Sequence, residues 1–163
     1  MCIRVEKVLW GVIGGFFAFC LILVATPGAG FLFNNFVRGS VVTDDIHEHA
    51  RAKHWNVHLE VEGATDFVQQ DVALAPGGFS GWHSHPGPVL IVVKTGTASW
   101  YSAENPNCEA IIYPAGSAFV EPANAHHLVS NQGSTDLELL TTSLIPKGAV
   151  TRVEQPQPEQ CPF

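Results

Sequence analysis

From residue 31 onward the chain alternates short apolar runs with Gly, Pro and Asn breaks. Phe31 to Val42 reads as a leading strand, with Asn34-Asn35 and Gly39-Ser40 as interruptions. Asp44-Asp45-Ile-His47-Glu-His49-Ala-Arg51 is polar throughout and predicts a solvated loop. Trp55-Asn-Val57-His58-Leu59-Glu-Val61 alternates apolar with polar, the period of a half-buried strand, and leaves His54 and His58 on its wet face. Phe67 to Leu74 continues the alternation into Ala75-Pro76-Gly77-Gly78, which reads as a turn. Val89 to Val93 is a continuous apolar run closed by Lys94-Thr95-Gly96, and Thr97 to Ser102 carries the bulky β formers Trp100 and Tyr101. Glu109 to Tyr113 and Ser117 to Val120 flank a Pro114-Ala-Gly116 turn, and Asp136 to Leu144 is a last core strand. Strands this short, parted by turns every ten residues or so, predict an all-β sandwich or small barrel.

The first thirty residues break that rhythm. Arg4 and Lys7 precede Val8 to Ala25, VLWGVIGGFFAFCLILVA, a run without a charge. At about 1.5 Å per residue it could just cross a hydrocarbon layer roughly 30 Å thick. The expectation is export: residues 1–30 act as a signal peptide, cleaved between about Ala25 and Gly30, or as an uncleaved membrane anchor through residues 8–25. The basic end stays inside, so the folded part is expected outside the cytoplasm, secreted or anchored. A buried helix is the poorer reading, because the segment has no polar face.

With 163 residues the chain has room for one core. The expected division is a leader over 1–30, leading strands and a loop over 31–65, the barrel over 66–146 and a Pro-rich tail over 147–163. From Phe31 on, six basic residues face fourteen acidic ones, with no basic stripe. Nucleic acid is therefore excluded as a partner. Cys2 and Cys20 lie in the leader, leaving Cys108 and Cys161 as an even pair. In an oxidising compartment the two predict a disulfide that pins the tail onto the domain, the alternative being two free thiols.

The candidate chemistry lies in GGFSGWHSHPGPVLIVVKTG, residues 77–96. On a strand, positions i and i+2 share a face, so His83 and His85 can present two imidazoles to one side. Neutral imidazole is a ligand for Zn, Cu, Fe and Ni. A second block, Gly116 to Asn131, supplies His126 and His127 after a strand. A second His-x-His, His47 and His49, lies among acidic neighbours and reads as solvated.

The two blocks together resemble the cupin superfamily. Its first motif is G, five residues, H-x-H, three or four residues, E, six residues, G, and Gly77, His83, His85 and Gly96 sit in register with it. Its second motif is G, five residues, P-x-G, two residues, H, three residues, N, which Gly116, Pro122, His127 and Asn131 match. The resemblance covers roughly Asp66 to Pro146 and implies a single jelly-roll β-barrel behind the hydrophobic leader. Two positions depart from the pattern. Val89 and Leu90 stand where the Glu belongs, and Asn124 replaces the Gly of P-x-G, a swap that a left-handed turn tolerates.

For function, the resemblance implies a divalent metal (Fe, Mn, Ni, Cu or Zn) held by His83, His85 and His127. Such a site works without a carboxylate, as three-histidine zinc sites do. Alternatively Glu121, in the strand leading to Pro122, supplies the carboxylate; otherwise it is a solvated strand end. Trp82, Trp100 and Phe119 are candidate pocket walls, with Glu121 or His126 as a general base. Three classes stay open: a metalloenzyme acting on a small molecule, a binding module for a small ligand, and a structural barrel without metal. Cupins often pair through sheet edges, so a homodimer is a further expectation. No Ser/His/Asp triad, phosphate loop or spaced carboxylate pair points to other chemistry.

Overall fold

The computed structural model describes residues 25–43 and 45–161, with the backbone alone at Asn35. The expected leader helix, with Cys2 and Cys20, lies outside the described residues apart from Ala25. Within them every regular element is a strand. In chain order these are β1 (Ala29–Ser40), β2 (Ile46–Ala52), β3 (Trp55–Val61), β4 (Thr65–Phe79), β5 (His83–Ser84) and β6 (Val89–Thr95). There follow β7 (Thr97–Ser102), β8 (Ile111–Pro114), β9 (Ala118–Glu121), β10 (His127–Ser130), β11 (Leu137–Pro146) and β12 (Val153–Glu154). All but β2 and β3 belong to one antiparallel network that curls into a nearly closed jelly-roll barrel.

The long strand β4 is the hub. One edge pairs with β11, from Thr65↔Pro146 to Leu74↔Leu137, and the other with β1, from Asp66↔Ser40 to Phe79↔Ala29. The Asn34-Asn35 interruption proves to be a register shift between Asn34 and Val37, so the strand bulges and continues. Next to β11 lies β6, and beyond it β9. Strict alternation turns Val89, Ile91 and Val93 of β6 inward and leaves Leu90 and Val92 outside. Those inward residues meet Val72, Leu74, Phe119, Val129, Leu137 and Leu139 in the main core. Each such side chain contributes about 1.5–3 kcal/mol by leaving water. Further along the same inward face of β11 the apolar residues give way to Thr141 and Ser143. The barrel is thus greasy at one end and polar at the other, and the polar end holds the histidines.

A smaller core, Trp82, Tyr101, Leu128 and Cys161, sits under the C-terminal segment. Cys161 is bonded to Cys108, closing a separation of 53 residues with Cα atoms 5.3 Å apart. By the chain-entropy account such a loop closure stabilises by about 4 kcal/mol.

Several expectations are corrected. Ala75-Pro76-Gly77-Gly78 is no turn: β4 runs through it, because Gly77 N–H donates to the Asn131 carbonyl and Asn131 N–H to the Gly78 carbonyl. Gly77, at φ +76°, only bends the strand. The solvated loop at 44–51 is instead strand β2, which pairs with β3 from Ile46↔Val61 to Ala52↔Trp55. Cross-strand hydrogen bonds decide the backbone here whatever the polarity of the side chains. The resulting hairpin is exposed on both faces, so β3 is not half-buried, and His54 lies in the turn at φ +63°. Residues 147–163 are more than a tail, for β12 pairs with β5 through Val153↔Ser84 and Glu154↔His83.

Candidate functional site

Four side chains converge at the polar end: His83 on β5, His85 just beyond it, Glu121 at the end of β9 and His127 at the start of β10. One ligand atom from each lies within 4.8 Å of all the others, and all four residues are at least largely buried. Register places them. His83 is directly opposite His127 across the β5–β10 pair. Glu121 is opposite Val89 across the β6–β9 pair, so both point into the barrel. Val89 is one of the positions where the cupin pattern carries its Glu. The carboxylate missing from one strand therefore reaches the same spot from the neighbouring strand.

Every ring is oriented by the backbone behind it. Nδ1 of His83 lies 2.9 Å from the Gly81 carbonyl, that of His85 2.6 Å from the Thr151 carbonyl, and that of His127 2.9 Å from the Ala125 carbonyl. A carbonyl can only accept, so each Nδ1 donates, and Nε2 is the ring nitrogen left to face the cluster. Gly81 can perform this task only as glycine. Its φ is +74°, and a Cβ there would meet the Thr26 carbonyl oxygen at 2.2 Å. Asn124, at φ +59°, donates its N–H to the His85 carbonyl, which is the left-handed turn expected of it. Trp100 stacks on His127 with ring centroids 6.0 Å apart.

The donor set fits a divalent cation. Glu121 Oε2 stands 3.1 Å from His85 Nε2 and 3.2 Å from His127 Nε2. His127 Nε2, fully buried, has no partner in hydrogen-bond geometry among the described residues. Neighbouring ligands around an ion at about 2.0–2.1 Å stand roughly this far apart. Burial opposes ionisation of Glu121, but the neighbouring imidazoles of His127, then His85, outweigh it and hold the carboxyl well below its usual range. For His83, burial first, then the charges of His127 and Arg152, press the imidazole well below its ordinary value, so the ring is neutral. Three imidazole nitrogens and a carboxylate facing one another make a donor set that a cation would bridge.

Beside the cluster opens a small cavity, with about 40 Å³ available to the centre of a water molecule. Its wall is Phe31 and Phe33 from β1, with Ser80, Thr141, Ser143 and Arg152 among its polar members. The expected wall residues are elsewhere: Trp82 fills the small core, Phe119 stacks on Tyr113, and Trp100 backs His127. His126 does not line the cavity either. The alternation of Phe31 and Phe33 in a strand could have pointed to them. Thr151 could not be found that way, because it acts through a carbonyl that any residue carries. Arg152, which donates from Nη2 to the Ser80 carbonyl, was hidden in a segment that reads as a tail.

Residues 70–143 match the family model for the cupin domain. Among solved structures, the chain is similar to a Cupin 2 conserved barrel domain protein from Salinispora arenicola, with 22% identity over 50% of this chain and 64% of that one and a TM-score of 0.43. A conserved protein with a double-stranded beta-helix domain from Klebsiella pneumoniae gives 14% identity, 72% and 89% coverage and a TM-score of 0.47. The oxalate decarboxylase of Lactobacillus farciminis, solved as a formate complex, gives 24% identity, 54% and 26% coverage and a TM-score of 0.46. This chain thus spans under two thirds of the Salinispora protein and about a quarter of the decarboxylase. No curated protein matches it in sequence. Both histidine blocks and Glu121 fall inside the stretch, residues 70–143, that matches the cupin domain.

Proposed function

We propose that His83, His85, His127 and Glu121 hold one divalent metal ion, and that the cavity beside them admits a small ligand to it. The observation that carries this reading is the shared use of Nδ1: three rings donate to three backbone carbonyls and so turn their Nε2 atoms towards one carboxylate. When bound, the ion supplies Lewis acidity or redox chemistry at whatever positions the four residues leave open. Ionised Glu121 supplies the anionic member of the set. The wall favours a small anion, such as a carboxylate, at one atom: Arg152 lines the cavity with its Nε and Nη2 paired to Glu154, while its buried Nη1 has no hydrogen-bond partner among the described residues.

Binding without turnover remains the second reading, and one observation favours it. Among the described residues that line the cavity, the carboxylate and imidazoles are those of Glu121, His83 and His85, all committed to the ion in this reading. The cystine between Cys108 and Cys161 supports the companion inference that the domain works in an oxidising, extracytoplasmic setting.

Elemental analysis of the protein, purified without a His tag and loaded in turn with Fe, Mn, Ni, Cu and Zn, tests the reading. The expected result is one metal equivalent that His83→Ala and His127→Ala each lose and that His54→Ala, in the hairpin turn, retains. Equal retention in all variants would overturn the assignment. Arg152→Gln should then weaken binding of small carboxylates such as formate or acetate to the loaded protein without lowering its metal content.

A further inference from the structure

We infer that the polar face of the β2–β3 hairpin is a second metal site, separate from the barrel, for an imidazole-seeking divalent ion of tetragonal geometry such as Cu(II) or Ni(II). His49 and His58 are directly opposed across the ladder, and His47↔Glu60 is the pair two residues along. Residues two apart share a face, so all four side chains lie on one side of the hairpin. His49 Nδ1 and His58 Nε2 are hydrogen-bonded at 2.9 Å, with the rings at 85° to each other, so one of them carries a proton that an ion would displace. Two nitrogens bound at about 2.0–2.1 Å and at right angles round one ion stand about 2.9 Å apart; a tetrahedral pair stands wider. His47 Nδ1 and Glu60 Oε1, 3.7 Å apart and each more than half exposed, are free to turn towards the same ion as further ligands. Arg51 shares the face at the turn end, paired with Asn56, so the favourable position for a cation is towards Glu60.

The hairpin site is independent of the barrel. Among the described residues no backbone carbonyl holds the rings of His49 and His58; they hold each other. The site is open to water, so an ion enters without any rearrangement of the fold.

The test is calorimetric titration of the full, untagged chain with Cu²⁺ and with Ni²⁺, paired with electron paramagnetic resonance of the Cu²⁺ form. His49→Ala and His58→Ala should each remove one equivalent and its nitrogen-coupled signal, whatever number the barrel takes. Their side chains are exposed, so the far-ultraviolet circular dichroism should not change. An undiminished number of equivalents in the His49→Ala, His58→Ala double variant would overturn the proposal. Failure of the barrel assignment has a different signature, the indifference of metal content to His83→Ala.

Discussion

His83-Ser-His85 and His47-Glu-His49 have the same spacing in one chain, yet their surroundings share almost nothing. In the barrel each imidazole is buried, backed by a carbonyl and directed at a carboxylate. On the hairpin the rings stand in water, and His49 is steadied by its neighbour across the ladder. Spacing alone therefore says little about a ligand set. What distinguishes the two is the far side of each ring, where the fold either fixes the tautomer and aim or leaves both to the ion. Such support behind the ligands commonly governs metal affinity by factors of about 10–100.

The widest separation between the two regions should appear in stability. Trp82 is fully buried beside Leu128 and the disulfide, whereas Trp55 is 56% exposed on the hairpin. Trp82→Ala should cost about 3–5 kcal/mol in urea unfolding, and Trp55→Ala no more than about 0.5 kcal/mol. Comparable losses would mean that the hairpin packs against something and is not the free element described. Next in size is the disulfide. Cys161→Ser should lower stability by about 2–5 kcal/mol and also loosen metal binding in the barrel, since the same segment carries the Thr151 carbonyl behind His85. Hairpin binding should be indifferent to it, and isothermal titration reads both.

A smaller effect tests the carboxylate itself. Glu121→Val should weaken metal retention in the barrel at least about tenfold. Adding Val89→Glu, which returns the carboxylate across the ladder, should recover most of it. Lack of recovery would show that the two positions are not equivalent. The mildest prediction concerns the root of the hairpin, where Asp66 accepts from Gly148 N–H, Ser40 and Arg38. In that order these partners lower its pKa to about 2. Because the unfolded value is about 3.9, the carboxylate contributes fully above about pH 4, and its contribution fades as pH falls towards 2. Asp66→Asn should flatten the stability profile in that window and leave it unchanged above pH 5 apart from a constant offset.

Much of the barrel was legible because its strands obey a period of two. Leu137 and Leu139, parted by Glu138, announce an inward face by alternation, whereas Val89 to Val93 is apolar throughout and only its place in the barrel turns Val89, Ile91 and Val93 inward. His83, His85 and His127 were legible through spacing and motif. Glu121 was only half so: its identity is plain, but its use depends on the register of β9 against β6, a relation between strands that no local pattern encodes. The hairpin escaped for the opposite reason. With no buried face, β2 carries no alternation to read, and only its partner strand makes it regular. Thr151 escaped because backbone chemistry has no residue signature.

The Thr151 carbonyl also dictates a timetable. Sixty-six residues separate it from His85, so during synthesis the histidines are complete long before the ring of His85 has its acceptor. A growing chain can close β6 on β9 and bring Glu121 beside Val89, but until Thr151 emerges one of its three imidazoles is unaimed. The cystine that holds this last segment in place is made ten residues later still. Synthesis therefore delivers the histidines first, the acceptor carbonyl second and the last cysteine third, and an ion offered to the unfinished chain meets an incomplete site.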